Sequence, residues 1–491
     1  MHLINAFKYK SMADQDFIIN AGPQGTFRAS GNYQTTPEQV DALFTKIRAE
    51  KPSKITLYFH GGLVSEKAGM DTARKLYQPL KDTGGFPIFM VWETGLVETI
   101  STNIKKISET SLYDKVLKAL LKVLEKKLGI ETPGGRGVGD VLTDVELNRE
   151  LSKVRPFEDA DVANQDGARS AVLIEELPED DAMLEMQFYP ELQYILDTDT
   201  ELPALLADSS AVQGRGIIST GALLLNLTKI AVRVAKRFLN KRDHGFYPTV
   251  VEEILRQFYL AELGAWVWNE MKLKSEYLWK DNQGLEGTDQ HAGRYLLDRL
   301  AAYIRETKDT AGKPTVWVDL VGHSAGSIAV CNLLKVVASD FAGFKFRNLV
   351  FMAPACRTDL FVAEVLTHPE RYEALRCFTM SDENERKDML VPYFYTRSLL
   401  YLISGILEKK GEGFDEYILG MERYLSGENP YKDDVNLGLL KTYFAEQGKN
   451  RLVLSKSAPD ALEGLRTTSL SHGGFDDDLP TIESVCCILK G

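Results

Sequence analysis

The stretch that decides the fold is TVWVDLVGHSAGSIAV, residues 315–330. Its first half is rich in β-branched and aromatic residues, which indicates a buried strand. Its second half turns to small and apolar residues, which indicates a buried helix. Between them lies GHSAG (residues 322–326), the G-x-S-x-G pattern in the strand–turn–helix context of a nucleophile elbow. Because the turn is too sharp for a Cβ atom on either side of the serine, we expect Ser324 to be strained and exposed.

Alternating strands and helices extend from this stretch in both directions. A Thr-Pro helix start precedes a helix that ends near residue 50, and an amphipathic helix follows at 66–81. The apolar runs that indicate buried strands lie at 54–60, 86–92, 346–354, 374–381 and 451–455. Strands of this kind, separated by helices, are typical of a sheet covered on both faces. The sequence therefore predicts an α/β fold with a mostly parallel central sheet and helices on both of its faces.

The alternation is interrupted between about residues 96 and 288. The apolar patterns in this segment predict long helices at 112–128, 217–239 and 249–278. The sequence thus predicts three segments, which are the N-terminal part of the core (1–95), a mainly helical cap or lid (96–288) and the C-terminal part of the core (289–491).

Composition disfavours several classes of protein. The chain has 491 residues, of which 44% are hydrophobic and 26% charged, as in soluble globular proteins. Its net charge of −12 disfavours a nucleic-acid partner. The five cysteines include no C-x-x-C pair, which disfavours zinc and a disulfide framework. No secretory leader and no apolar run of 18 residues is evident, so we expect a cytoplasmic protein. Contact with a membrane surface stays open but is not indicated.

A serine nucleophile needs a base, and on an elbow architecture the acid and then the histidine follow the serine along the chain. Only two histidines follow Ser324, namely His368 and His472. His472 lies in a glycine-containing loop between the last predicted strand and the last predicted helix, where the imidazole can project. His368 lies in LTHPE, which is typical of a helix end on the surface. We therefore predict His472 as the base.

The acid should follow the strand after the elbow unit, where it would accept a hydrogen bond from the imidazole and fix its tautomer. Asp382 comes almost directly after the apolar run at 374–381 and is the predicted acid. Three further candidates for this role are Glu383, Asp388 and Asp359.

An oxyanion hole needs two backbone N–H donors. One is expected from Ala325, the residue after the nucleophile. The other is expected from the loop that follows an earlier strand, where His60-Gly61-Gly62 ends the apolar run at 54–60. Gly62 or Leu63 would donate the second N–H.

Together these residues resemble the α/β-hydrolase superfamily in type and order. The resemblance covers about residues 50–95 and 290–491 and rests on His60-Gly61-Gly62, the GHSAG turn, Asp382 and His472. It implies a site at the carboxyl ends of the strands. The Gly-His-Ser-x-Gly form is more frequent among the lipases and esterases of that superfamily than among its peptidases.

The expected activity is therefore that of a serine esterase. It would cleave a carboxylic ester of a small molecule or lipid through an acyl-enzyme, using a Ser324–Asp382–His472 catalytic triad and no cofactor or metal. Two further hypotheses remain open. One is a lipase or phospholipase whose helical insertion meets a membrane surface, and the second is a non-catalytic hydrolase-fold protein used for binding.

Overall fold

The structure is a computed structural model that describes residues 13–61, 65–92, 96–130, 142–165, 177–207, 219–341, 343–408 and 414–491. Its strands form one sheet, in the order β1-β3-β2-β4-β5-β6-β7, and every pair of neighbours is parallel. The strands are β1 (Ile18–Ala21), β2 (Lys54–Phe59), β3 (Phe86–Trp92), β4 (Trp317–His323), β5 (Phe346–Met352), β6 (Tyr372–Met380) and β7 (Leu452–Ser455). The predicted α/β fold with a parallel sheet is confirmed.

Helices connect the strands. Those before β4 are α1 (Pro37–Glu50), α2 (Glu66–Lys81), α3 (Leu96–Ser108), α4 (Ser111–Leu128), α5 (Asp144–Leu151), α6 (Glu158–Gln165), α7 (Asp181–Thr198), α8 (Leu202–Ala207), α9 (Thr220–Leu239), α10 (Phe246–Phe258), α11 (Leu260–Leu263), α12 (Ala265–Tyr277) and α13 (Ala292–Glu306). Those after β4 are α14 (Gly326–Asp340), α15 (Thr358–Phe361), α16 (Asp382–Lys387), α17 (Leu399–Leu402), α18 (Glu422–Leu425), α19 (Val435–Phe444) and α20 (Leu479–Lys490).

Helical turns of other kinds lie mostly in the connections. The 3₁₀ turns are Asp14–Asp16, Pro23–Gly25, Gly287–Asp289, Pro369–Arg371 and His472–Gly474. The π turns are Val362–Leu366 and Ile403–Leu407. Among the described residues, no helix has both the length and the apolar character needed to cross a bilayer.

The sheet is covered on both faces, because successive apolar side chains along each strand point to opposite faces of the sheet. In β2, Leu57 and Phe59 belong to one buried cluster, whereas Tyr58 belongs to the other. The first cluster also contains apolar side chains of α1, α13 and α14, and the second those of α2 and α20. The prediction of helices on both faces is thus confirmed.

The segment between β3 and α13 is helical in its described part and continues the first of these clusters. Side chains such as Leu120 of α4, Phe188 of α7 and Ile254 of α10 share the cluster with the sheet. The helix predicted at 249–278 is broken into three. The breaks fall at Tyr259 and at Gly264, whose φ of 92° favours glycine.

The sheet order gathers the residues that carry the site predictions. β4 lies between β2 and β5, with Gly322 in register with Phe59 on one side and Phe351 on the other. Parallel strands point their carboxyl ends to one edge of the sheet. The residues that follow β2, β4, β6 and β7 therefore emerge at the same edge.

Candidate active site

Ser324 occupies the sharp turn between β4 and α14 and has a φ of +50°. Its N–H donates to the Met352 carbonyl at 2.9 Å, and its own carbonyl accepts from the Ala355 N–H at 3.0 Å. A left-handed φ on a residue with a Cβ atom costs on the order of 1–3 kcal/mol, so these bonds maintain a strained turn. The predicted strain is confirmed, but the predicted exposure is wrong. Ser324 is only 2% exposed, because Gly61 and His472 pack against it.

The two glycines of the turn are required by close backbone approaches. A Cβ atom on Gly326 would lie 2.2 Å from the carbonyl oxygen of Phe59 in β2. A Cβ atom on Gly322 would lie 3.1 Å from the carbonyl group of Gly326. The absence of both side chains lets α14 begin directly against β2 and β4, which fixes the position of Ser324.

His472 reaches Ser324 from the loop between β7 and α20, where it begins a 3₁₀ turn. Its Nε2 lies 2.7 Å from Ser324 Oγ, which is hydrogen-bond distance for a nucleophile and its base. Burial and the nearby charge of His323 lower the pKa of His472 to about 3, against an opposing effect of Asp476. The imidazole is therefore neutral at pH 7 and able to accept a proton.

Asp382 does not contact His472 in the described part of the chain. It begins α16, where its carboxylate accepts a hydrogen bond from the Tyr401 hydroxyl at 2.7 Å and its N–H donates to Glu422 at 2.7 Å. The helix α16 is the reason for this placement, because it turns the chain directly after Ser381. The residue that returns toward His472 is the one at the far end of that helix.

That residue is Asp388, which the sequence offers as a further candidate for the acid. Its Oδ2 accepts a hydrogen bond from the backbone N–H of His472 at 2.8 Å. Burial raises the pKa of Asp388, against the opposing effects of this hydrogen bond and of Arg155. Within the described residues, Nδ1 of His472 is buried and has no hydrogen-bond partner. In the described part of the chain, the carboxylate of Asp388 thus contacts the backbone of His472 and not its imidazole.

The remaining two candidate acids pair with other side chains. Asp359 forms an ion pair with Arg357 at 2.9 Å, and Glu383 is paired with Lys387 on the surface. The second candidate base, His368, is half-buried directly before the turn Pro369–Arg371.

The loop after β2 also approaches Ser324. A Cβ atom on Gly61 would lie 3.1 Å from Cβ of Ser324, so this loop passes close beside the serine. His60 braces the loop because its Nε2 accepts the Trp92 N–H at 3.1 Å and its ring stacks on the Trp92 indole. Ala325 is fully buried at the start of α14. The predicted donors Gly62 and Leu63 lie outside the described residues.

Two residues at the site were missed by sequence reasoning. Nε2 of His323 lies 3.1 Å from the carbonyl oxygen of His472, and Nδ1 lies 3.3 Å from Oδ2 of Asp476. Burial lowers the pKa of His323, but Asp476 and the His472 carbonyl outweigh it, so the pKa is raised overall. The only signals in the sequence were a histidine directly before Ser324 and an acid one turn after His472.

Comparison of this chain with protein-family models, with curated proteins and with solved structures finds no match.

Proposed function

We propose that this protein is a serine hydrolase of the α/β-hydrolase type that cleaves a carboxylic ester through an acyl-enzyme. The observation that carries the proposal is the 2.7 Å contact between Ser324 Oγ and His472 Nε2. Two independent features of the serine support it, namely its strained φ of +50° and its position between a parallel strand and a helix.

The reaction follows from the two side chains. Ser324 Oγ attacks the ester carbonyl carbon while His472 Nε2 takes the hydroxyl proton. The tetrahedral intermediate collapses, the alcohol leaves with that proton, and the acyl group remains on the serine. A water molecule then repeats the attack, with His472 again accepting and returning the proton. In this proposal the backbone N–H groups of Ala325 and of Gly62 or Leu63 stabilise the oxyanion.

For the acid of the triad we propose Asp388 instead of Asp382. The carboxylate of Asp388 already accepts the backbone N–H of His472 at 2.8 Å, and Nδ1 of the same histidine is buried without a partner in the described part of the chain. Rotation of the imidazole or of the carboxylate as substrate binds would pair these two groups. The paired carboxylate would fix the tautomer in which Nε2 accepts and would stabilise the imidazolium.

A fluorophosphonate probe tests the proposal because it phosphonylates activated serines. We expect labelling of the wild type, none of Ser324→Ala, and full labelling of Ser339→Ala, a control serine on the exposed end of α14. Labelling that persists in Ser324→Ala would contradict the assignment of the nucleophile. A wild type that takes no label would favour the non-catalytic binding protein.

A further inference from the structure

His323 links the nucleophile turn to the loop that carries the base. It is the last residue of β4 and immediately precedes Ser324, and it is only 5% exposed. Its ring lies roughly parallel to that of His472, with 6.0 Å between the ring centroids. One ring nitrogen faces the carbonyl oxygen of His472, and the other faces the carboxylate of Asp476. Both of these partners belong to the loop between β7 and α20.

The chemistry of the two partners decides where the protons of His323 lie. A carbonyl oxygen can only accept, so Nε2 must donate across the 3.1 Å to His472. An ionised carboxylate can also only accept, and Asp476 lies 3.3 Å from Nδ1 in an ion-pair contact that misses hydrogen-bond alignment. Both nitrogens therefore face acceptors, which is the environment of an imidazolium.

The surrounding charges favour the same state. Asp477 adds a second negative charge near His323, and the acidic pair is in turn balanced by Lys75 of α2, which bonds the Asp476 carbonyl at 2.9 Å. Burial raises the pKa of Asp476, but His323 and Lys75 outweigh it and lower the pKa overall. The other titratable groups facing this cluster from β2 and the residue after it are Tyr58 and His60, and burial keeps both neutral at pH 7.

We propose that His323 is a charged positioning residue that clamps the catalytic loop, bonding the His472 carbonyl through Nε2 and pairing with Asp476 through Nδ1. This inference rests on the proposed function, since it concerns the geometry of the Ser324–His472 pair. The clamp works together with Asp388, which holds the N–H of the same histidine. The backbone of His472 is thus fixed at both its N–H and its C=O.

The clamp predicts a pH dependence for the reactivity of Ser324 that packing alone would not produce. A positive charge about 6 Å from His472 disfavours its protonation and keeps the base neutral to lower pH. As the pH rises through the raised pKa of His323, that imidazolium loses its charge and its pairing with Asp476. The reactivity of Ser324 should then fall at alkaline pH as well as at acid pH.

The test measures the second-order rate of fluorophosphonate labelling against pH. The variants are His323→Gln, whose amide keeps a neutral donor, and Asp476→Asn, which removes the pairing carboxylate. The control is His368→Gln, because His368 also pairs with a carboxylate, Glu370, but lies on the surface. In His323→Gln we expect the acid limb to move up by about one pH unit and the severalfold alkaline decline to disappear. Asp476→Asn should move the alkaline decline to lower pH, and the control should match the wild type.

Profiles of both variants that keep the two limbs of the wild type and differ only in height would contradict the proposal. Such a result would mean that His323 only packs against the loop.

A second measurement does not depend on hydrolase activity. Long-range ¹H–¹⁵N spectra of the full chain with ¹⁵N-labelled histidine distinguish an imidazolium from a neutral ring, and His323→Gln assigns the signal. At about pH 7, above the ordinary pKa of 6.5, we expect both nitrogens of His323 to be protonated. A neutral ring would overturn the clamp even if Ser324 is labelled. Failure of labelling with a charged His323 would instead overturn the proposed function.

Discussion

The carboxylate of Asp388 is the part of the proposed triad that a single substitution tests most sharply. In Asp388→Asn, the amide oxygen can still accept the His472 N–H, which lies 2.8 Å from the carboxylate in the structure. The loop should therefore keep its anchor and the protein should fold. What is lost under the proposed triad is the carboxylate charge that would pair with the imidazole and stabilise the imidazolium in the transition state.

The size of the effect lies between two limits. A hydrogen bond to a charged group is worth about 1.5–3 kcal/mol, which is roughly a 10- to 100-fold change in rate. Loss of the orienting carboxylate from a serine triad costs about 10⁴-fold, or about 5 kcal/mol. Because Asp388 contacts the backbone and not Nδ1 of His472, we expect a loss in kcat/KM of about 10²- to 10⁴-fold, between these limits.

Asp382→Asn is the matched control, since it removes a carboxylate from the other end of α16. Its partner is the Tyr401 hydroxyl, so we expect a loss of stability of about 1 kcal/mol and kcat/KM within about threefold of the wild type. The assays are hydrolysis of p-nitrophenyl acetate and thermal unfolding followed by circular dichroism. An inactive, folded Asp382→Asn beside a fully active Asp388→Asn would refute the reasoning and restore Asp382 as the acid.

Three further predictions concern stability. Gly326→Ala places a Cβ atom 2.2 Å from a backbone oxygen and should lower the free energy of unfolding, measured in urea, by about 3 kcal/mol. The control Gly438→Ala in α19 meets open space and should raise the same free energy by about 0.5 kcal/mol. Equal effects would contradict the close approach. Arg237→Met leaves the buried carboxylates of Glu252 and Glu253 without this partner and should lower the free energy of unfolding by about 3–5 kcal/mol. An unchanged free energy of unfolding would contradict that pairing. Burial raises the pKa of Glu125 from 4.5 to about 7, because it disfavours the charged form of the carboxyl group. The folded protein is therefore most stable relative to the unfolded chain below pH 4.5, and it loses this stability as the pH rises through 7. Glu125→Gln should therefore raise the unfolding temperature more at about pH 8 than at about pH 4, and a gain independent of pH would contradict the raised pKa.

Much of the fold could be predicted because local signals and the fold agree. The apolar run at 86–92 coincides with β3, and the Thr-Pro start predicted the beginning of α1, where Thr36 caps the helix together with Gln39. The helical segment was harder, since the apolar pattern at 249–278 continues through a break that the backbone makes at Gly264. Periodicity reports which side chains are buried and not where the chain turns.

The site also has features that the sequence could predict and features that it could not. The strain at Ser324 could be predicted because the two flanking glycines and the adjoining strand and helix are consecutive in the sequence. The partner of His472 could not be distinguished, because the six-residue helix α16 carries Asp388 and not Asp382 to the loop. The contact of His323 with Asp476 joins two distant parts of the chain, and only the sheet order brings them together.

The most direct test of the central claim is to trap the acyl-enzyme. Wild-type protein is mixed with p-nitrophenyl acetate, quenched in acid within the first turnover and mapped by peptide mass spectrometry. We predict a single acetyl group on Ser324, absent from Ser324→Ala and accumulating in His472→Ala only at the uncatalysed rate. Hydrolysis at the full rate by Ser324→Ala, or an acetyl group on a different residue during turnover, would contradict the account.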